Sequence, residues 1–185
     1  MSSVPENHTP KLMPWWWELL PVALVLLSVG YTWMVYPDLP ERVPTHYGAS
    51  GMPDAWGGKG AVLVLPFLQT GIYALDAGLY LWMARVKDPR RLIAHSANWT
   101  EKQKAAFTTK DLESLRAFLV RSLWLLNLVL MLMFTHLNVG DLQTALGLRH
   151  GLGLVIWVYF AAIMGICFWM TVKILSFRPG KPDVK

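Results

Sequence analysis

Asp76 is the only acid well inside an otherwise apolar stretch of this 185-residue chain. With Gln69, Tyr73 and Tyr80 it forms a series spaced four, three and four residues apart, which puts all four on one stripe of a helix. A charged carboxylate near the centre of a bilayer costs about 2.5–3.5 kcal/mol, so Asp76 is expected to face other helices and to have a partner. Counting 1.5 Å per residue places Asp76 roughly 12 Å from the near end of its helix, with Arg121 about 8 Å and Asn127 about 17 Å from the same face. Either can pair with it if the second and third spans are neighbours. Three roles stay open for Asp76: a structural contact between helices, a proton or ion relay, or a silent protonated acid. A second group of polar residues gathers near the opposite face: His46, His136 and His150, with Asp54 and Asp141 on the same side. Three imidazoles and an acid are a donor set suited to zinc, although no paired His-x-x-x-His spacing accompanies them. No nucleophile–base pairing, P-loop, dinucleotide-binding glycine pattern or Gly-x-Ser-x-Gly elbow is present, so no catalytic residue, enzymatic activity or cofactor is expected.

The elements that must position these residues follow from composition. Hydrophobic residues make up 54% of the chain and charged ones only 16%, against about 25% charged in soluble domains. Four apolar stretches are long enough to cross a bilayer, which takes about 20 helical residues: 15–36, 61–84, 116–138 and 151–175. The expected fold is therefore all-α, a four-helix transmembrane bundle forming a single domain over residues 1–185. The first span has no basic start and no small-x-small cleavage site after it, so it reads as a retained helix rather than a signal peptide. The single cysteine, Cys167, lies in an apolar run and reads as a packing residue.

Lysine and arginine cluster between the second and third spans, at Arg85, Lys87, Arg90, Arg91, Lys102, Lys104, Lys110 and Arg116. Lys11, Lys173, Arg178, Lys181 and Lys185 add to that side, whereas Arg42, Lys59 and Arg149 lie on the other. Positive charge is retained in cytoplasmic loops, so both termini and the 85–115 loop are expected inside, in a bacterial inner membrane. Tryptophans at 15–17, 33 and 82 suit the headgroup layers. The net charge of +5 reads as topology and contact with anionic lipid; nucleic acid is excluded as a partner because no base-reading or stacking element accompanies the charge. Within the loop, Thr100-x-x-Gln103 matches a capping box, and Thr108 or Thr109 can cap the approach to the third span.

Residues 37–60 differ from everything around them. Pro40 and Pro44 extend the residues before them, Leu39 and Val43 can lie back on the membrane surface, and Gly48, Gly51, Gly57 and Gly58 permit tight turns. These residues predict a compact Pro/Gly-rich loop on the extracytoplasmic side. His46 is expected to hydrogen-bond within it, for example to Asp54. Lys59 is expected at the headgroups, and Glu18 beside an arginine at the other face.

The stretch LPERVPTHYGASGMPDAWGGKG, running into AVLVLPFL, resembles the bacterial membrane domain of unknown function 1648, which also begins the SdpI-type immunity proteins. Leu39, Pro40, Val43, Pro44, His46, Tyr47, Gly51, Asp54, Trp56, Gly58 and Lys59 occupy the positions of that pattern. The resemblance covers the first span, the loop and the start of the second span. It implies a membrane protein whose loop, through Pro44, His46, Tyr47, Gly51, Asp54, Trp56 and Lys59, contacts an extracytoplasmic peptide, toxin or other ligand. Three functions are thus in contention: SdpI-like immunity or signalling by recognition of such a ligand, an ion- or proton-coupled transporter component using Asp76, and a membrane metal-binding protein. Membrane lipid and a second copy of the chain are the remaining expected partners.

Overall fold

A computed structural model describes residues 14–180; His8, Lys11, Lys181 and Lys185 lie outside them. Its long helices are α1 (Leu19–Val35), α2 (Val64–Arg85), α4 (Thr109–Ala145) and α5 (Val155–Ser176), with a short α3 (Glu101–Ala106) before the third. Each long helix, with its flanking turns, is long and apolar enough to cross a membrane. α4 is the central column: α1, α2 and α5 all pack against it, and α1 also touches α2.

The segment between the first two spans differs from the expected loop. It forms an antiparallel hairpin of β1 (Arg42–Tyr47) and β2 (Pro53–Gly58). Proline is tolerated here because both strands of a two-stranded ribbon are edges. Irregular register on either side of His46 takes up the mismatch between the strands. Leu39 and Val43 do not face lipid. Both are buried among Val35, Val62, Leu142 and Ala145, so the base of the hairpin is a small protein core built on the end of α4.

α4 is longer than the 116–138 expected, at 37 residues. It starts early because Thr108 and Asp111 form a reciprocal capping box. The added turns carry Leu112 and Leu115, which pack on Ile93, Trp99 and Phe107. The Thr100–Gln103 box forms as expected and starts α3. The segment 85–108 is thus a packed cap, tied to the end of α5 by the Trp99 indole N–H, which donates to the Phe177 carbonyl at 3.1 Å. At its other end α4 stops at Gly147, whose φ of 73° only glycine takes readily. Gly147 N–H bonds to Thr144 O and Leu148 N–H to Gln143 O, the pairing that closes a helix on a left-handed residue.

Polar side chains join the spans at two levels. Asn138, fully buried, donates from Nδ2 to Ser28 O at 3.1 Å and to Thr32 Oγ1 at 2.8 Å. Gln69 Nε2 donates to Thr135 Oγ1 at 2.9 Å, and Thr135 in turn donates to Leu24 O at 3.1 Å. In a bilayer the apolar surfaces of neighbouring helices gain nothing over lipid, so such contacts fix which faces meet. Asn138→Leu is expected to cost about 0.6–1.7 kcal/mol, measured by reversible unfolding in mixed micelles.

Candidate functional site

The hairpin is pinned at both ends. At its tip Gly48, Ala49, Ser50 and Gly51 form a turn closed by the Gly51 N–H on Gly48 O at 2.8 Å. Gly51 has φ 77°, and a Cβ there would stand 2.1 Å from the Gly153 carbonyl oxygen. That closeness lets Gly51 O accept from Leu152 N–H at 2.8 Å, while the Trp157 indole donates to Ala49 O at 3.1 Å. The tip therefore rests on the connection between α4 and α5. At the base, Lys59 donates from its backbone to Glu41 O at 3.0 Å and from Nζ to Pro37 O at 3.2 Å, with Nζ 5.0 Å from the centre of the Tyr36 ring.

Between these anchors the Tyr47 hydroxyl reaches α4 and donates to Asp141 Oδ1 at 2.5 Å. Asp141 is buried. Burial, followed by the Asp141 carboxylate, pushes the Tyr47 phenol well above its ordinary value; Thr144 and Arg149 lie close enough to oppose this. The Arg149 guanidinium lies over Gly140, where an added Cβ would come within 3.1 Å of Nη1. Beside this cluster opens a groove of about 400 Å³, walled by Pro44, His46, Tyr47, Leu65, Leu137 and Asp141, among others. It has a mostly apolar floor and a polar rim, the makeup of sites that bind small molecules or peptide side chains.

Of the residues expected at the site, Pro44, His46 and Tyr47 line the groove. Asp54 Oδ1 meets His46 Nδ1 at 2.5 Å on the exposed face, the partner expected for that histidine; an exposed pair of this kind adds little to stability. Gly51 and Lys59 serve as tip and base anchors, and Trp56 stays exposed. The three histidines do not converge: His136 Nδ1 lies 3.3 Å from the Tyr159 hydroxyl and His150 is exposed. Among the described residues no three His, Cys, Asp or Glu side chains are grouped as a metal ion would need.

The intramembrane stripe is arranged differently from expectation. Gln69 turns to Thr135, while Tyr73 and Tyr80 donate to Glu18 Oε2 at 3.3 and 2.6 Å. Glu18 therefore sits between two tyrosines on α2 and not beside an arginine. Asp76 is half-buried and makes no hydrogen bond or ion pair among the described residues. Asn127 is buried with neither amide atom hydrogen-bonded. Arg121 lies elsewhere on α4, in a cavity shared with Trp169 of α5. Four participants escape sequence reasoning in these roles: Glu18, Asp141, Thr144 and Arg149. Hydropathy puts Asp141 at the same end of the spans as the hairpin, but no local spacing links it to a tyrosine 94 positions away.

Four membrane-length helices, three of them packed on the fourth, with a hairpin seated at one end, define a multi-pass helical membrane protein. Residues 23–70 match the family described as Domain of unknown function (DUF1648), a stretch that takes in most of α1, the hairpin and the first turns of α2. An uncharacterized protein of Archaeoglobus fulgidus is 46% identical over 49 residues, which are 26% of this chain and 25% of that protein. The match thus spans about a quarter of the relative's length, and the relative is archaeal. No solved structure matches the chain.

Proposed function

We propose that the chain is a non-enzymatic receptor-like membrane protein whose hairpin and groove recognise an extracytoplasmic peptide or other ligand, in the manner of SdpI-type immunity. In this reading both termini and the 85–108 cap face the cytoplasm of a cell bounded by this membrane, and the hairpin faces out. The observation that carries it is the groove: a ribbon anchored at tip and base holds Tyr47 and Asp141 beside an apolar floor. A preformed site of that kind avoids the ordering cost that a flexible loop would meet on binding. The test is survival of a bacterial host expressing the protein during challenge with a panel of membrane-active peptides. Protection by the wild type that is lost in Tyr47→Phe and His46→Ala, at equal membrane levels, supports the reading. Absence of protection against every peptide removes the immunity branch.

A second reading is an ion- or proton-coupled transport component. It is favoured by two carboxyl side chains within the spans, Glu18 and Asp76, both associated with the tyrosine stripe of α2. Intramembrane acids commonly mark ion paths. Uptake into proteoliposomes driven by a pH gradient, lost in Asp76→Asn or Glu18→Gln, distinguishes it from ligand recognition.

A further inference from the structure

The groove beside the hairpin has walls of one sign. No lysine or arginine lines it, and Asp141 is its single carboxylate. Asp141 is only 5% exposed, yet among the described residues no basic side chain stands within ion-pairing distance of it. Arg149 comes near without pairing, its guanidinium lying over Gly140. Tyr47 donates to Oδ1, a bond that brings no positive charge. Oδ2 accepts no hydrogen bond among the described residues, and it is not one of the side-chain oxygens sealed away from any partner. It therefore opens on the groove that Asp141 lines.

The free oxygen and its surroundings select among cations. Zinc and calcium need several protein donors; here there is one carboxylate, and the groove's imidazole, His46, has Nδ1 engaged by Asp54. A guanidinium grips a carboxylate best with two parallel bonds, one to each oxygen, and Tyr47 already holds Oδ1. An ammonium is a compact point charge whose N–H groups each need one acceptor. Oδ2 is one such acceptor. The Tyr47 oxygen, which gives its proton to Asp141, keeps lone pairs and is a second. Val64, Leu65, Leu137 and Leu152 make the adjoining wall apolar, so an ammonium that reaches Oδ2 has to arrive on an apolar chain.

We propose that the groove binds a primary ammonium carried on an apolar chain, with Asp141 Oδ2 and the Tyr47 oxygen holding the charged nitrogen and the leucine wall taking the chain. The inference rests on the reading of this groove as the recognition site and adds the charge of what it takes. Purified protein in neutral detergent is titrated with isopentylamine, isopentylguanidine, isopentanol and a dileucine amide in free and N-acetylated forms. Binding is read by saturation-transfer NMR with protein-free micelles subtracted. Expected is saturable binding of isopentylamine and of the free peptide, weaker by about tenfold or more for the alcohol and the acetylated peptide, and weaker by a similar factor in Asp141→Asn. That variant keeps an oxygen for Tyr47 and removes the charge. Arg149→Gln is expected to tighten binding or leave it unchanged, because a competing cation is lost. A peptide that binds more tightly than isopentylamine marks a peptide amine as the ligand, and equal affinity marks a free amine; either supports the proposal. Neutral probes that bind as tightly as charged ones, a guanidine that binds more tightly than the amine, or unchanged affinity in Asp141→Asn overturns it and leaves groove recognition standing. Binding of none of the probes overturns it too, and the peptide challenge then decides recognition by itself. Should Asp141→Asn not fold, the contrast between charged and neutral probes on the wild type decides, and weaker amine binding in Arg149→Gln overturns the proposal as well.

Discussion

Gly51→Ala is expected to release the hairpin from the helices while leaving the four spans assembled. Two costs combine. A non-glycine residue held at φ 77° gives up about 1–2 kcal/mol to left-handed backbone strain. The new methyl would also overlap the backbone of Gly153, whose carbonyl oxygen stands 2.1 Å from its position, and forcing an extra methyl into a packed contact adds about 1–3 kcal/mol. The overlap is with main chain, so no side-chain rotation relieves it. Relief requires the tip to lift, which breaks the Leu152 N–H bond to Gly51 O and draws Ala49 away from Trp157. The measurement is labelling of a cysteine placed at Ser50, compared with the helix content and unfolding midpoint of the same sample. Rapid labelling with unchanged helicity is the expected result. Labelling as slow as in the parent would mean the tip is not held by this contact. The peptide-recognition reading also predicts that Gly51→Ala weakens protection, because the groove wall contributed by Pro44, His46 and Tyr47 moves with the ribbon.

The helices were legible because a bilayer imposes length and hydropathy on every span, whatever its neighbours. The caps at Thr100 and Thr108 were legible for a related reason: their partners, Gln103 and Asp111, lie three residues away. The hairpin was not. Pro44 and the glycines of 48–58 argue against regular strands locally, and what makes the ribbon stable is Val43 buried against Leu142 of a helix that starts far along the chain. The α2 stripe shows the limit most clearly. The spacing of Gln69, Tyr73, Asp76 and Tyr80 puts them on one stripe of α2, where Gln69 and Tyr80 are buried. Spacing within one helix cannot say which neighbour that side meets at each level. Its upper residue meets Thr135 on α4, whereas Tyr73 and Tyr80 reach Glu18 on the turn leading into α1. Asp76, between them, was assigned a partner by depth alone, and Arg121 at a suitable depth points toward α5 instead.

Tyr47→Phe tests the side-chain hydrogen bond from Tyr47 of β1 to Asp141 of α4. It leaves the ring packed but strips the buried Asp141 carboxylate of its phenol donor, a loss of about 1.5–3 kcal/mol for a hydrogen bond to a charged group. The double variant Tyr47→Phe with Asp141→Leu is expected to be less destabilised than the two single changes added together, since the carboxylate that suffers is gone. The same bond sets a pH dependence with a defined sign. Tyr47 has a folded-state value raised above the ordinary 10.0, first by burial and then by Asp141. A raised value means that the neutral phenol is favoured by folding. Its contribution is complete below pH 10.0 and is lost as the pH climbs from there through the folded-state value. Alkaline titration should therefore loosen the hairpin in the wild type, seen as faster labelling at Ser50, and the loosening should be much smaller in Tyr47→Phe, which has no phenol to ionise at that position. Ultraviolet difference absorbance locates the tyrosine step. In Asp141→Asn that step should move back toward 10.0 without reaching it, because the burial of Tyr47 remains when the carboxylate charge is removed. A step that does not move would mean that Asp141 exerts no hold on the phenol, and the hairpin would then rest on its tip and base alone.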